Sequence, residues 1–403
     1  MSLGNRKLKA NITVFRNKNT LFLIPGEVFE LVFLHTIARN DRRYAEAIQK
    51  ERISIVNLKK LCNKAQVPYP LLLATPNRVK KVINAYEKAV FSDVNINNKV
   101  SISARGSIDL ADISLVLRDI HRKREYLRKK INSDNKIRGI LKNISHSTER
   151  QVEYLRTVID FKLVKYRKYK RKEEAFQYLV DCLADKNIFV TLYVHQQCPQ
   201  TIDKQLDFSG IAISDKKAPF LFVKTPGDSR GMELWGRRTF TVVLLLICLA
   251  KGKNGPISMK GFAKQLIDND LYIVAEEFLL PEKEFVSNTV DGYYDIKQLA
   301  NLYKVSPSAV VMRAFRFNMI DEIDKQSYLS SLVQEFYKAK DGKGYRDRST
   351  LERKIIKYNN PKVTRIIVED FMSKRINENR AQNLLCYRKG DKFSKDKLLQ
   401  ELQ

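Results

Sequence analysis

Four histidines (His35, His121, His146 and His195) and five cysteines (Cys62, Cys182, Cys198, Cys248 and Cys386) set narrow limits on acid–base, nucleophilic and metal chemistry in this chain of 403 residues. His195 and Cys198 stand three apart in YVHQQC and could share a metal or a proton. No second ligand pair accompanies them, so a strand-end histidine with ordinary hydrogen bonds is the simpler reading. His121 sits in HRKREYLRKK as one more polar residue of a basic helix. Glu276 and Glu277 form an acidic pair among apolar neighbours, the type of dyad that does general acid–base work. Adjacent helical residues project about 100° apart, so these two are not expected to face one substrate. KGKNGP (251–256) has two glycines but lacks the G-x-x-x-x-G-K-[ST] pattern of a phosphate loop and follows a helix instead of a strand. TPGDSRG (225–231) reads as a turn. A nuclease built from scattered acids needs no local motif and stays open at this stage. From these residues no catalytic group, metal or cofactor is assigned.

Charge points elsewhere. The 74 Lys and Arg against 45 Asp and Glu give a formal net charge of +29, which favours an anionic partner such as nucleic acid or an anionic membrane. Between Arg118 and Lys172 there are 19 Lys and Arg against 6 Asp and Glu, so nearly half the excess falls in one seventh of the chain. The candidate nucleic-acid-binding residues are Arg122, Lys123, Arg124, Arg128, Lys129 and Lys130 in HRKREYLRKK, and Arg167, Lys168, Lys170, Arg171 and Lys172 in KLVKYRKYKRK. Tyr126, Tyr166 and Tyr169 lie among them and could stack on bases or sugars. The competing reading is a helix whose tyrosines fill an apolar face while its basic face is merely wet.

The elements that must position these groups follow from periodicity. The stretch to about Arg105 reads as helical, with apolar residues three and four apart at Val28, Leu31, Val32 and Leu34 and again at Ile55, Leu58, Leu61 and Ala65. VPYPLLLATP stops the second helix, because each proline restrains the residue before it. NKVSISARGS reads as a linker, and a basic helical connector follows. From residue 173 the pattern changes: a helix, EEAFQYLVDCLADKNIF, precedes three β-branched or aromatic runs, IFVTLYV, DFSGIAISD and APFLFVK, which predict a small sheet. Then RRTFTVVLLLICLA presents an apolar run of about eleven residues, short of the roughly twenty needed to cross a bilayer. It is expected to be a buried core helix, with no membrane contact. A second helix runs through FAKQLIDNDLYIVAEEFLLP, and helical segments continue to the end. The scattered cysteines and an opening MSLGNRKLKANITVF without an apolar signal region fit a reducing cytoplasm.

This order of pieces resembles the ImmA/IrrE family of zinc-dependent peptidases. The counterparts are Gly210, Asp215 and Pro219 on and after a strand; Arg237, Phe240 and Thr241 leading into the zinc helix; and Leu279, Leu280 and Pro281 closing the next helix. ISIVNLKKLCNKAQVPYPLLLATP is similar to the end of the helix-turn-helix-like N-terminal domain of many members, and SIDLADISLVLRDIHRKREYL to their connecting helix. YYDIKQLANLYKVSPSAVVMRAFRFNMID is similar to the helix pair after the core. The family's zinc helix carries H-E-x-x-H, two imidazoles on one helix face and a glutamate that activates water. Here those five positions are Leu244, Leu245, Leu246, Ile247 and Cys248, and the third ligand would fall near Asp268. Leucine offers no lone pair, and a thiol and one carboxylate do not hold a catalytic zinc. Zinc peptidase activity is therefore expected to be absent, with each buried leucine contributing about 2 kcal/mol in place of an unsatisfied polar group.

The expectation is an α+β, mainly helical protein. A helical N-terminal domain (1–105), partly helix-turn-helix-like, and a basic helical connector (106–172) lead into a zincin-like degenerate peptidase core with a small sheet (173–325) and a basic helical C-terminal region (326–403). Two further spots have helix-turn-helix spacing: residues 295–320, and the C-terminal phrase VEDFMSKRINENRAQNLLCYRKGDKFSKDKLLQEL. The resemblance implies a non-catalytic regulator or defence component of a mobile element that binds nucleic acid, DNA above RNA. The alternative it implies is a module that uses the former peptidase groove to hold a repressor- or antitoxin-like protein.

Overall fold

A computed structural model describes residues 10–34, 36–91, 110–144, 147–195, 197–203, 206, 208–224, 234–257, 270–341, 349–388 and 390–403. His35, His146, the expected linker NKVSISARGS, the TPGDSRG turn and Asp268 lie outside them. The chain is α+β and mainly helical, with two small sheets, and divides into two compact units. One comprises residues 1–92, 109–121 and 199–203, the other 93–108, 122–198 and 204–403. Among the described residues no helix is long and apolar enough to cross a membrane.

The first unit opens with a hairpin where a helical reading was expected. Strands β1 (Ile12–Arg16) and β2 (Asn19–Ile24) pair antiparallel across Asn17 and Lys18. Both turn residues have positive φ, 49° and 74°, the backbone that a tight two-residue hairpin demands. The β-branched and aromatic residues of ITVFR and NTLFLI, split by Asn17, are the strand signal that the helical periodicity further on overshadowed. After α1 (Gly26–Phe33) and α2 (Arg42–Lys50), strand β3 (Arg52–Ser54) joins β1 in parallel, giving the order β2-β1-β3. Helix α3 (Ile55–Ala65) starts where Ser54 Oγ accepts from the Asn57 N–H at 3.2 Å and stops at Gln66, whose φ is 52°. Its apolar stripe of Leu58, Leu61 and Ala65 meets Ile12, Val14, Val28, Phe29 and Phe33 in one core. A 3-10 turn over Tyr69–Leu73 follows, then α4 (Pro76–Phe91). Helix α5 (Ser114–Leu127) contributes residues to both units.

The second unit holds α6 (Thr148–Val158), α7 (Leu163–Lys168) and α8 (Lys172–Asp185), then the three strands legible in the sequence: β4 (Phe189–Leu192), β5 (Gly210–Ile213) and β6 (Phe220–Val223). A fourth, β7 (Gly255–Ile257), follows helix α9 (Leu234–Ala250) and completes the order β4-β6-β5-β7. β4 runs parallel to β6; the other pairs are antiparallel. All residues of β4, β5 and β6 are buried, as a sheet covered on both faces requires.

Helix α9 packs on β5 and β6 and against α8 and α10 (Asp270–Leu279). It comes unusually close at Gly210, where an added Cβ would lie 2.6 Å from the Phe222 carbonyl and 2.9 Å from Leu245. Next come α11 (Glu282–Phe285), α12 (Tyr293–Leu302), α13 (Pro307–Arg316) and α14 (Glu322–Asp341). The remaining helices are α15 (Leu351–Asn359), α16 (Pro361–Met372), α17 (Glu378–Leu384) and α18 (Lys395–Glu401). They are not a detached tail: α15 packs on the edge strand β4, and Asn360 Nδ2 donates to the Val190 carbonyl at 3.2 Å.

Candidate nucleic-acid interface and the metal-site positions

The positions that the resemblance aligns with a zinc helix are core. Leu244 is 1% exposed, Leu245 and Cys248 0%, and every residue of α9 from Phe240 to Ala250 is buried. Burial pushes the Cys248 thiol up to about 12, so at neutral pH it carries a proton and offers no thiolate to a metal. Two leucines and a protonated thiol do not fit a zinc ion. Among the described residues no group of three or more His, Cys, Asp or Glu is placed to hold a metal ion. His195 is exposed while Cys198 is buried. Phe240 to Ala250 of α9 are enclosed, while Trp235, Arg237 and Arg238 near its start are half-buried.

The cations in and just after α5 were expected to face phosphates, and most are engaged inside the fold. Arg124, 1% exposed, donates through Nε and Nη2 to Asp215 Oδ2 at 3.0 and 2.8 Å. Arg128 Nε reaches the same oxygen at 2.8 Å. Asp215 Oδ1 accepts from the backbone N–H groups of Lys217 and Ala218 at 2.8 and 2.9 Å. Burial alone would raise this carboxyl, but the Arg128 hydrogen bond, the two N–H groups and the charge of Arg124 hold it at about 2. Lys123, 1% exposed, lays its ammonium 4.3 Å from the centre of the Tyr358 ring. Arg122 Nη2 approaches Cys386 Sγ at 3.6 Å, and Lys130 pairs with Asp370 at 2.8 Å. Of this group Lys129 is exposed without an ion pair among the described residues.

The second cluster is mixed. Arg167 pairs with Glu284 and lies over the Tyr303 ring; Lys172 Nζ donates to the Val305 carbonyl at 2.7 Å. Arg171 is held by Glu174 at 2.8 Å on the surface, and Lys168 and Lys170 are exposed. The tyrosines are not stacking platforms. Tyr126 is buried and donates to Asp370, Tyr166 is buried and donates to the Lys304 carbonyl at 3.0 Å, and Tyr169 leans on Tyr178. They fill apolar faces because a phenol with one polar contact inside is a good core residue.

The acidic pair is also structural. Glu276 and Glu277 are buried, and Arg313 on α13 reaches both, despite their divergence on α10. Arg316 Nε adds a 2.8 Å contact to Glu276, and the Glu282 N–H reaches Glu277 Oε2 at 3.1 Å. Two guanidiniums thus neutralise the dyad and tie the α12–α13 pair to the core. The same packing removes α13 as a groove-reading helix: Pro307, Ala309, Val310, Val311, Met312, Arg313 and Ala314 are all buried. The C-terminal pair α16–α17 is different. Its second helix buries Ala381 and Leu384 and leaves Glu378, Asn379, Arg380 and Asn383 exposed.

Free positive charge also lies on the first unit, which sequence reasoning passed over because no short run there is dense. Residues 1–92 hold 17 Lys and Arg against 6 Asp and Glu. Lys59, Lys60 and Lys64 on α3, and Arg78, Lys80, Lys81 and Lys88 on α4, are exposed. Lys64 pairs with Asp41 and Lys80 with Glu27. Comparison with family models, curated proteins and solved structures returned no match.

Proposed function

We propose that the protein is a non-catalytic, ImmA/IrrE-like pseudopeptidase that binds nucleic acid, with its α+β core as scaffold. The observation that carries this is a charge balance. Ion pairing inside the fold changes no net charge, so the +29 stands even where Arg124 and Arg128 share Asp215 or Arg313 meets both Glu276 and Glu277. Part of that excess lies at the surface, where Lys59, Lys60, Arg78, Lys81, Lys129, Lys168 and Lys170 are exposed and carry no ion pair among the described residues. A surface of this kind attracts the phosphate backbone and releases its counterions.

The pseudopeptidase part of the reading is supported by the order helix, strands, apolar helix, second helix over residues 172–279, and by the apolar chemistry at Leu244 and Leu245. Regulation or defence in a mobile element follows from the resemblance and is proposed with it. The charge reading is tested with the quadruple variant Lys59→Glu, Lys60→Glu, Arg78→Glu and Lys81→Glu, assayed for binding to a 20-base-pair DNA duplex. Binding weakened by about tenfold or more is expected from the loss of several phosphate contacts. Unchanged binding removes the first unit from the interface.

A further inference from the structure

We propose that α17 is a recognition helix that reads base edges in the major groove of duplex DNA. This rests on the nucleic-acid reading above and adds to it a groove, a helix and the residues that would choose the sequence.

Two helix pairs in the chain share the same local design. In each, the first helix ends on a lysine of positive φ, Lys304 at 56° and Lys374 at 57°, and the second starts at a side-chain cap, Ser306 or Asn377. Burial separates them. α13 is enclosed, whereas α17 buries Ala381 and Leu384, with Leu385 at its end, and leaves its other side exposed. Asn379 and Asn383 are one turn apart and Arg380 lies three before Asn383, so the three span an arc of about 100° on one side of the helix. All three are exposed, with no side-chain hydrogen bond or ion pair among the described residues. Asparagine and arginine are the side chains that bond adenine and guanine edges in pairs. The exposed carboxylate of the helix, Glu378, is engaged by Gln382 Nε2 at 2.8 Å.

The surroundings suit a polyanion. Lys374 on the turn before α17, and Arg388, Lys392 and Lys395 after it, are exposed cations. The helix is also held in place: Asn359 Nδ2 donates to the Leu385 carbonyl at 2.9 Å, and Gln197 Nε2 to the Cys386 carbonyl at 2.8 Å. A helix with a polar, exposed outer side fits the wide major groove of B-form DNA. The major groove of A-form RNA is too narrow to admit it.

The experiment is selection from a pool of duplexes with a randomised 20-base-pair segment, run with the full chain and with the variant Asn379→Ala, Arg380→Ala, Asn383→Ala. The expected result is that the wild type enriches a short motif. The variant should still bind the unselected pool within about threefold but lose about tenfold or more in affinity for the selected duplex, the scale of one good bidentate base contact. Enrichment of the same motif by both proteins overturns the assignment to α17. Binding of the pool by the wild type with no enrichment also overturns it, while leaving the nucleic-acid reading intact. No binding of the pool overturns both.

Discussion

Arg124 and Asp215, 91 positions apart in sequence, meet with Nη2 2.8 Å from Oδ2, both shut away from water. The contact joins the basic helix α5 to the turn between β5 and β6, and it turns a residue of the expected phosphate patch into a strut. Removing the carboxylate charge would strand a buried guanidinium. Asp215→Asn is therefore expected to cost on the order of 3–5 kcal/mol, read as a lower urea midpoint. A midpoint within experimental error of wild type would mean that the pair is dispensable.

The same carboxylate sets an acid limit. Its folded-state value of about 2 lies below the ordinary 3.8, so its contribution is fully present above about pH 4 and is lost as pH falls towards 2. The shift corresponds to about 2 kcal/mol. The stability gap between wild type and Asp215→Asn should narrow by roughly two thirds of that amount between pH 5.5 and pH 2.5. A gap that stays constant across this range would contradict the linkage.

The metal-site positions give a third prediction. Leu244→His, Leu245→Glu and Cys248→His together restore the residue types of a zinc helix but place them in a dry core. The variant is expected to lose several kcal/mol of stability and to gain no peptidase activity. Thermal unfolding with and without added zinc checks this. A folded variant with stoichiometric zinc would contradict the reading of these positions as dry core.

Gly210 is crowded by its neighbour strand and by Leu245 of α9. A Cβ there meets the Phe222 carbonyl at 2.6 Å, and backbone cannot swing aside as a side chain can. Gly210→Ala should destabilise by about 1–3 kcal/mol through overpacking, seen in the melting temperature. A rise in melting temperature would contradict the packing described here.

The second unit was legible wherever one period dominated the sequence. The runs around Phe189–Leu192, Gly210–Ile213 and Phe220–Val223 alternate or are wholly apolar, and they form the strands expected. LLLIC reads as core because nothing in it can satisfy water, and it is core. The hairpin at Ile12–Ile24 was signalled by its β-branched and aromatic residues, but the positive φ of Asn17 and Lys18 that closes it is a turn property that composition does not advertise. The site was less readable than the fold. Lys123 and Arg124 look like surface residues in HRKREYLRKK, because their partners Tyr358 and Asp215 come from distant parts of the chain. Local charge density cannot separate a patch from a set of internal ion pairs. Likewise, α13 and α17 have the same spacing, and only tertiary packing buries one and exposes the other.

The central claim is that the surface excess of positive charge serves nucleic-acid binding. Fluorescence anisotropy of a labelled DNA duplex, titrated with nucleic-acid-free protein from roughly 50 to 300 mM salt, tests it most directly. The account predicts binding at low salt, with the logarithm of the affinity falling linearly and steeply against the logarithm of salt concentration. No rise in anisotropy at about 50 mM salt would contradict it and leave the charge as a solvated surface.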